Sequence, residues 1–245
     1  DGARTEVPEL VGRSRPALIL VNDEDLAYAK IRLDDASLDT AIAHLANFED
    51  SLARSLVWAA AWDMTRDGEV PAAEFIELVL ANVGAETDST MVLVLLRQLR
   101  LAARSYTAPE HRSEVLPAVV DRLWELAQAA DAGSDAQLQL VRAFAASAVS
   151  DTHLDALHGL LDGSLTLPGL EVDTDLRWAL LIGLVRGGRA DDADIQAESQ
   201  RDATATGRQA AARAGATIPT REAKERVWAS VVDEARLPNA LQEAV

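Results

Sequence analysis

Cysteine is missing from this 245-residue chain, which removes disulfides, thiolate–zinc sites and thiol nucleophiles together. Lysine is nearly missing: Lys30 and Lys224 leave arginine as the other 21 of the 23 basic residues. Against 40 acidic residues the net charge is −17, a balance that excludes a nucleic-acid partner and argues against an anionic membrane surface. No apolar run reaches the ~18–20 residues of a membrane helix. The strongest run, Met91–Leu96, is interrupted by Arg97 and Arg100. Glycine (13) and proline (8) are scarce and alanine, leucine and arginine abound, a composition that favours helix. The chain opens on Asp1 with no basic segment followed by an apolar one, so no secretory leader is expected and the location expected is cytoplasmic.

Two stretches near the start differ from the rest. Ala17-Leu-Ile-Leu-Val21 is short, apolar and branched, and Ala29-Lys-Ile-Arg-Leu33 alternates apolar and polar. Both read as strands. From about Ser37 every readable element is helical. Helices are predicted over 51–66, 72–83, 88–105, 110–130, 138–149, 151–161, 175–185, 191–202, 204–214 and 221–235. Pro71 stands at a first helical position, and Gly68, Gly84, Gly163 and Gly187-Gly188 stand at ends. Thr107-Ala-Pro-Glu110 and Ser134-Asp-Ala-Gln137 have the form of capping boxes. Helices of this length on short turns pair antiparallel, and a long series of such pairs describes an all-α, HEAT- or armadillo-like solenoid with a short β segment at its N-terminus.

Motifs of catalysis are not found. H-E-x-x-H, the P-loop, G-x-S-x-G and G-x-G-x-x-G are all missing. Of the four histidines, His44, His111, His153 and His158, the last two are five apart, off the i, i+4 spacing of a shared metal, and all four read as surface or helix-end residues. The acid groups Asp191-Asp192 with Asp194, Glu49-Asp50, and Asp173 with Asp175 read as helix caps rather than catalytic pairs, and Asp23-Glu-Asp25 as a turn. Trp58 and Trp62, with Trp124, Trp178 and Trp228, read as fillers of inter-helix seams before walls of a ligand groove. Arginine suits a peptide carboxylate, but most arginines are expected to be solvated or paired with the excess acids. No residue of the chain is assigned a catalytic, metal-binding or substrate-binding role.

Some blocks are more specific. Asn22-Asp-Glu-Asp-Leu-Ala-Tyr-Ala-Lys-Ile-Arg-Leu-Asp34 fits the pattern N-D-x-x-x-x-Y-A-K-x-x-L-D, and Arg54 to Gly68 fits R-x-x-x-W-x-x-x-W-D-M-x-R-D-G, followed by Pro71-Ala-Ala-Glu-Phe75. Asp202-Ala-Thr-Ala-Thr-Gly207, Ala210-Ala-Ala212 and Lys224-Glu-Arg-Val-Trp228 match late helices of the same kind. In these blocks the chain resembles the C-terminal helical domain of aminopeptidase N-type zinc peptidases, its actinobacterial members above all. The resemblance implies that residues 1–35 end a β-sandwich domain and its linker. Residues 36–245 would be a HEAT-like helical domain, with further helices beyond the point matching Leu237–Ala240. It implies a parent that removes N-terminal residues from peptides, with zinc held in a separate catalytic domain. This chain would then be a lid that gates access and touches the distal part of the substrate. Its partners would be the parent's catalytic and β-sandwich domains and peptide substrates. The alternative is a free-standing HEAT-like scaffold for protein partners.

Overall fold

The computed structural model describes residues 5–233 and 237–245, and divides the chain into two compact units, Asp1–Asn82 and Val83–Val245. The described residues are all-α, with twelve α-helices, short 3-10 and π turns, and no strand.

Unit 1 holds α1 (Asp35–His44), α2 (Ser51–Arg66) and α3 (Ala72–Asn82). The strands expected at 17–21 and 29–33 are not formed. The alternation that suggested them is real: Ile31 and Leu33 are buried on either side of a half-exposed Arg32. A strand needs a partner's backbone, however, and here the backbone groups are met by side chains. Ile19 N–H donates to Ser37 Oγ (3.0 Å), Ala17 C=O accepts from Thr40 Oγ1 (2.9 Å), and Leu33 N–H donates to Met64 Sδ (3.3 Å). The segment is thus extended chain pinned to α1 and α2.

Helix α1 begins where Asp34 accepts from Ser37 N–H (2.8 Å), a standard N-cap. It packs on α3, and Asn82 fixes the pairing. The Asn82 amide, buried at the end of α3, donates to Ile42 C=O (2.8 Å) and Leu78 C=O (3.0 Å) and accepts from Ala46 N–H (2.8 Å). Donors and acceptor are all used, so a buried polar group costs little here and specifies the register.

Asp34 also takes the Arg15 guanidinium, at 2.5 and 2.6 Å. Those bonds, with Ser37, hold its carboxyl down to about 2 from 3.8. A depressed pKa contributes stability that is present above the ordinary carboxylate value and lost as pH falls through 2. The Asp34 carboxyl resonance should therefore titrate near 2, and Arg15→Gln should move the midpoint back towards 3.8. A midpoint near 3.8 in the unaltered chain would mean that the Arg15 pairing does not form in solution.

Unit 2 holds α4 (Ser89–Leu101), α5 (Arg112–Ala129), α6 (Asp135–Ser147), α7 (Asp151–Asp162), α8 (Thr174–Arg186), α9 (Asp192–Arg201), α10 (Ala205–Thr217), α11 (Arg221–Trp228) and α12 (Asn239–Gln242). Helix α4 packs on α6, α6 on α8, and α8 on α10, while α5 backs α6, α7 backs α8 and α9 backs α10. Each interior side chain is shared between such neighbours. Leu95, Leu99, Val120, Val141, Phe144, Leu157, Leu176 and Leu180 are all essentially removed from solvent, each worth about 1.5–3 kcal/mol. Two turns, α5–α6 and α7–α8, meet backbone to backbone at Gly133 and Gly169, both at positive φ. A Cβ on Gly169 would lie 2.4 Å from Gly133 N, closer than atoms approach.

Thr107–Glu110 does not cap a helix. Thr107 N–H and Oγ1 both bond Ala102 C=O (2.9 and 3.1 Å), closing a π turn, Ala102–Tyr106, at the end of α4. The competing i→i+5 bond takes the threonine, and α5 starts only after a 3-10 turn at Pro109–His111. The second box is half formed: Ser134 Oγ accepts from Gln137 N–H (3.1 Å), but Gln137 reaches back to Gly133 N–H (2.9 Å), one residue early. The predicted helix 221–235 becomes α11 and a π turn, Ala229–Asp233, and its last two residues, Glu234 and Ala235, lie outside the described residues.

Candidate functional site

The two early sequence blocks meet each other in unit 1. Asp67, from R-D-G, accepts from Lys30 Nζ (2.9 Å) and Arg32 Nη2 (2.5 Å), both from the Y-A-K-x-x-L-D block, and Arg32 also pairs with Glu69. The two cations pull the Asp67 carboxyl below its ordinary range, Lys30 most. Gly68 follows in the left-handed conformation that ends α2. Within N-D-x-x-x-x-Y, Asn22 bridges the turn, donating to Ala27 C=O (2.8 Å) and accepting from Ala27 N–H (2.7 Å). The Asp23–Asp25 triplet is thus a turn, as expected, and Tyr28 projects fully into solvent. These residues fasten an extended segment to a helix end and hold nothing reactive.

The tryptophans divide. Trp58 (2 % exposed) and Trp178 (4 %) are core residues. Trp62 is half-buried against Phe75 with ring centroids 5.0 Å apart, and Trp124 sits 4.7 Å from Phe144. Trp228 is exposed. The late block D-A-T-A-T-G has a physical account. Asp202 accepts from Trp178 Nε1 (2.9 Å) on one oxygen and from Thr204 Oγ1 (2.6 Å) and N–H (3.2 Å) on the other, and these bonds lower its pKa. Gly207 leaves room for that carboxylate, since a Cβ there would come within 2.5 Å of Asp202 Oδ2. The block is a seat for a buried indole.

His153 is at a helix end, as expected, but is buried rather than at the surface. Its Nδ1 accepts from Ser150 N–H (3.3 Å), completing the α7 capping box, and its Nε2 lies 2.7 Å from Asp121 Oδ1. Phe144 meets the ring edge-on. Asp191 and Asp194 form a reciprocal capping box on α9, and Asp173 and Asp50 cap α8 and α2, so these acids serve helix starts. Among the described residues no three His, Asp or Glu side chains gather as a metal site requires.

One cluster in unit 2 is not absorbed by folding. Arg97 and Arg100 on α4 and Arg142 on α6 line a groove of about 320 Å³ with Leu93, Leu96, Gln139 and Ala143. Arg104, on the π turn, and Arg186, at the end of α8, add to the same positive field. Burial first, and then the charges of Arg104 and Arg100, together lower the Arg186 pKa to about 10. Arg104 is lowered by burial and by Arg100. Arg186 donates to Ala145 C=O (2.7 Å). Among the described residues no acidic side chain comes within ion-pairing distance of these five. The i, i+3, i+7 spacing of 97, 100 and 104 is visible in the sequence. The approach of Arg142 and Arg186 depends on α6 packing between α4 and α8. Such a cluster can bind an anion.

Among known proteins, the family model described as ERAP1-like C-terminal domain matches residues 18–245. Aminopeptidase N of Streptomyces lividans is 49% identical over 245 residues, which is 100% of this chain and 29% of that relative's length.

Proposed function

Since the chain belongs to the ERAP1-like C-terminal domain family, we propose that it is the substrate-gating helical domain of a zinc-dependent aminopeptidase, which contributes peptide contacts and no catalytic group. The observation that carries this reading is 49% identity along its whole length to under a third of an aminopeptidase N. A chain with no assembled metal donors among its described residues is consistent with chemistry lodged elsewhere in a longer polypeptide. In this reading, residues 1–35 join a preceding β-sandwich domain. The helices form a solenoid whose concave face turns to the catalytic cleft, and zinc belongs to the parent's catalytic domain. No described helix is long and apolar enough to cross a membrane, and a cytoplasmic setting belongs to the same proposal.

Remote contacts can orient a scissile bond only for substrates long enough to reach them. Deleting residues 36–245 from the whole polypeptide should therefore lower kcat/KM for hexapeptides and longer on the order of a hundredfold, and far less for an alanyl amide. Paired assays on the two substrates read the ratio. Equal losses on both would make the domain a stabiliser rather than a gate. Chelator-sensitive turnover by the 245-residue chain itself would place chemistry within it.

A further inference from the structure

We propose that the arginine groove between α4 and α6 is a carboxylate site that takes acidic peptide segments, with Asp or Glu side chains on Arg97, Arg100 and Arg142. It rests on the reading above only in that a peptide is the source of the carboxylates.

The first argument is pairing. The chain carries a net charge of −17, so acids outnumber the arginines they could pair with. Arg15, Arg32, Arg177 and Arg189 all meet acids, at 2.5–2.9 Å. The groove arginines are side by side and lack such partners among the described residues, although like charges in proximity disfavour one another. Helix ends explain part of this: Arg100 and Arg186 lie in the last turns of α4 and α8, where a cation offsets the helix dipole. Arg142 is in the middle of α6 and gains nothing from a helix end.

The second argument is the number and spread of forks. A lone C-terminal carboxylate is satisfied by one guanidinium, or two. Three guanidiniums, two from α4 and one from α6, call for more than one negative charge. The third is the lining. Leu93, Leu96 and Ala143 give the groove an apolar wall beside its charges. That suits a segment in which acidic residues alternate with aliphatic ones, and suits a free inorganic anion less.

The test uses the 245-residue chain and three labelled heptapeptides read by fluorescence anisotropy at low salt. The first carries two glutamates around a leucine and a C-terminal amide. The second has glutamine for glutamate, with the same amide. The third is the glutamine peptide with a free C-terminus. The amidated glutamate peptide should bind about tenfold or more tighter than its glutamine counterpart, as expected when charge-assisted hydrogen bonds are made. The double variant Arg97→Gln/Arg142→Gln should erase that preference, and Arg201→Gln/Arg213→Gln, equal in charge change but outside the groove, should keep it. If the groove variant fails to fold by circular dichroism, the unaltered chain still answers: Nε–Hε resonances of the groove arginines should shift with the glutamate peptide, and that of Arg201 should not.

Several results would overturn the proposal: equal loss in the control variant (bulk electrostatics), tightest binding by the free-acid glutamine peptide (a C-terminus site), displacement by inorganic phosphate at the peptide's own concentration (an adventitious anion only), or no preference for glutamate. None of these touches the deletion assay, and a failed deletion assay leaves the binding result standing, so the two readings fail separately.

Discussion

Trp58→Ala is expected to cost unit 1 about 3–5 kcal/mol, the range for truncating a fully enclosed indole. Among the described residues Trp58 is the largest of the fully buried side chains, and it sits midway along α2, flanked in sequence by buried Val57, Ala60 and Ala61. Small neighbours of this kind cannot spread into the space, so the cavity persists and its cost adds to the lost burial. Trp62, half-buried against Phe75, should cost clearly less when truncated, because part of its surface is already wet. Urea unfolding of both variants, followed by far-UV circular dichroism, gives the comparison. A Trp58 variant that loses no more stability than the Trp62 variant would mean that Trp58 is not the more deeply enclosed of the two in solution.

A comparable loss, about 3 kcal/mol, is expected for Glu198→Ala. Glu198 of α9 is buried and meets Arg177 of α8 in a two-bond fork, Nε and Nη2 each at 2.7 Å. Arg177 also donates to Leu161 C=O (3.2 Å), at the end of α7. The Glu198 bonds raise the arginine's pKa. Removing the carboxylate therefore strands a charge that cannot easily neutralise. The pair itself need not be stabilising against an apolar alternative, since both ions lost water on folding. Arg177→Met with Glu198→Leu should recover most of what Glu198→Ala loses. If the double variant is as weak as the single one, the fork contributes positively and not only by avoiding a stranded charge.

Helix α2 was legible to the residue, because both of its ends are written locally: an acceptor at Asp50 and a left-handed glycine two residues past Arg66. Helix α1 was not delimited, since Asp34 reads equally well as the end of an alternating strand and as the cap that it is. The 29–33 alternation carries burial correctly and says nothing of what meets the backbone between. Thr107 shows the same limit from the other side. Its spacing to Glu110 satisfies the capping pattern, yet Ala102, five residues back, offers a carbonyl first. The family blocks were readable as words but not as contacts. That Asp67 would close on Lys30 and Arg32, or that Gly207 would clear a space for Asp202 under Trp178, depends on pairs 24 to 37 residues apart, farther than any local rule spans. The arginine groove was hidden for that reason too. Arg97 and Arg100 lie on one helical stripe, and Arg142 arrives only when α6 docks.

The meeting of Gly133 and Gly169 has a consequence at the level of the gene. Every base change in the first or second position of a glycine codon either stops translation or installs a residue with a Cβ. At Gly169 any such atom would collide with the backbone of the facing turn, and no rotation of a side chain relieves a clash made by the first carbon. The position therefore has no neighbouring allele that keeps this turn-to-turn contact. Third-position changes are silent, so its codon is free to drift while its amino acid is not, and coding sequences that preserve these two turns should differ there by synonymous substitution alone.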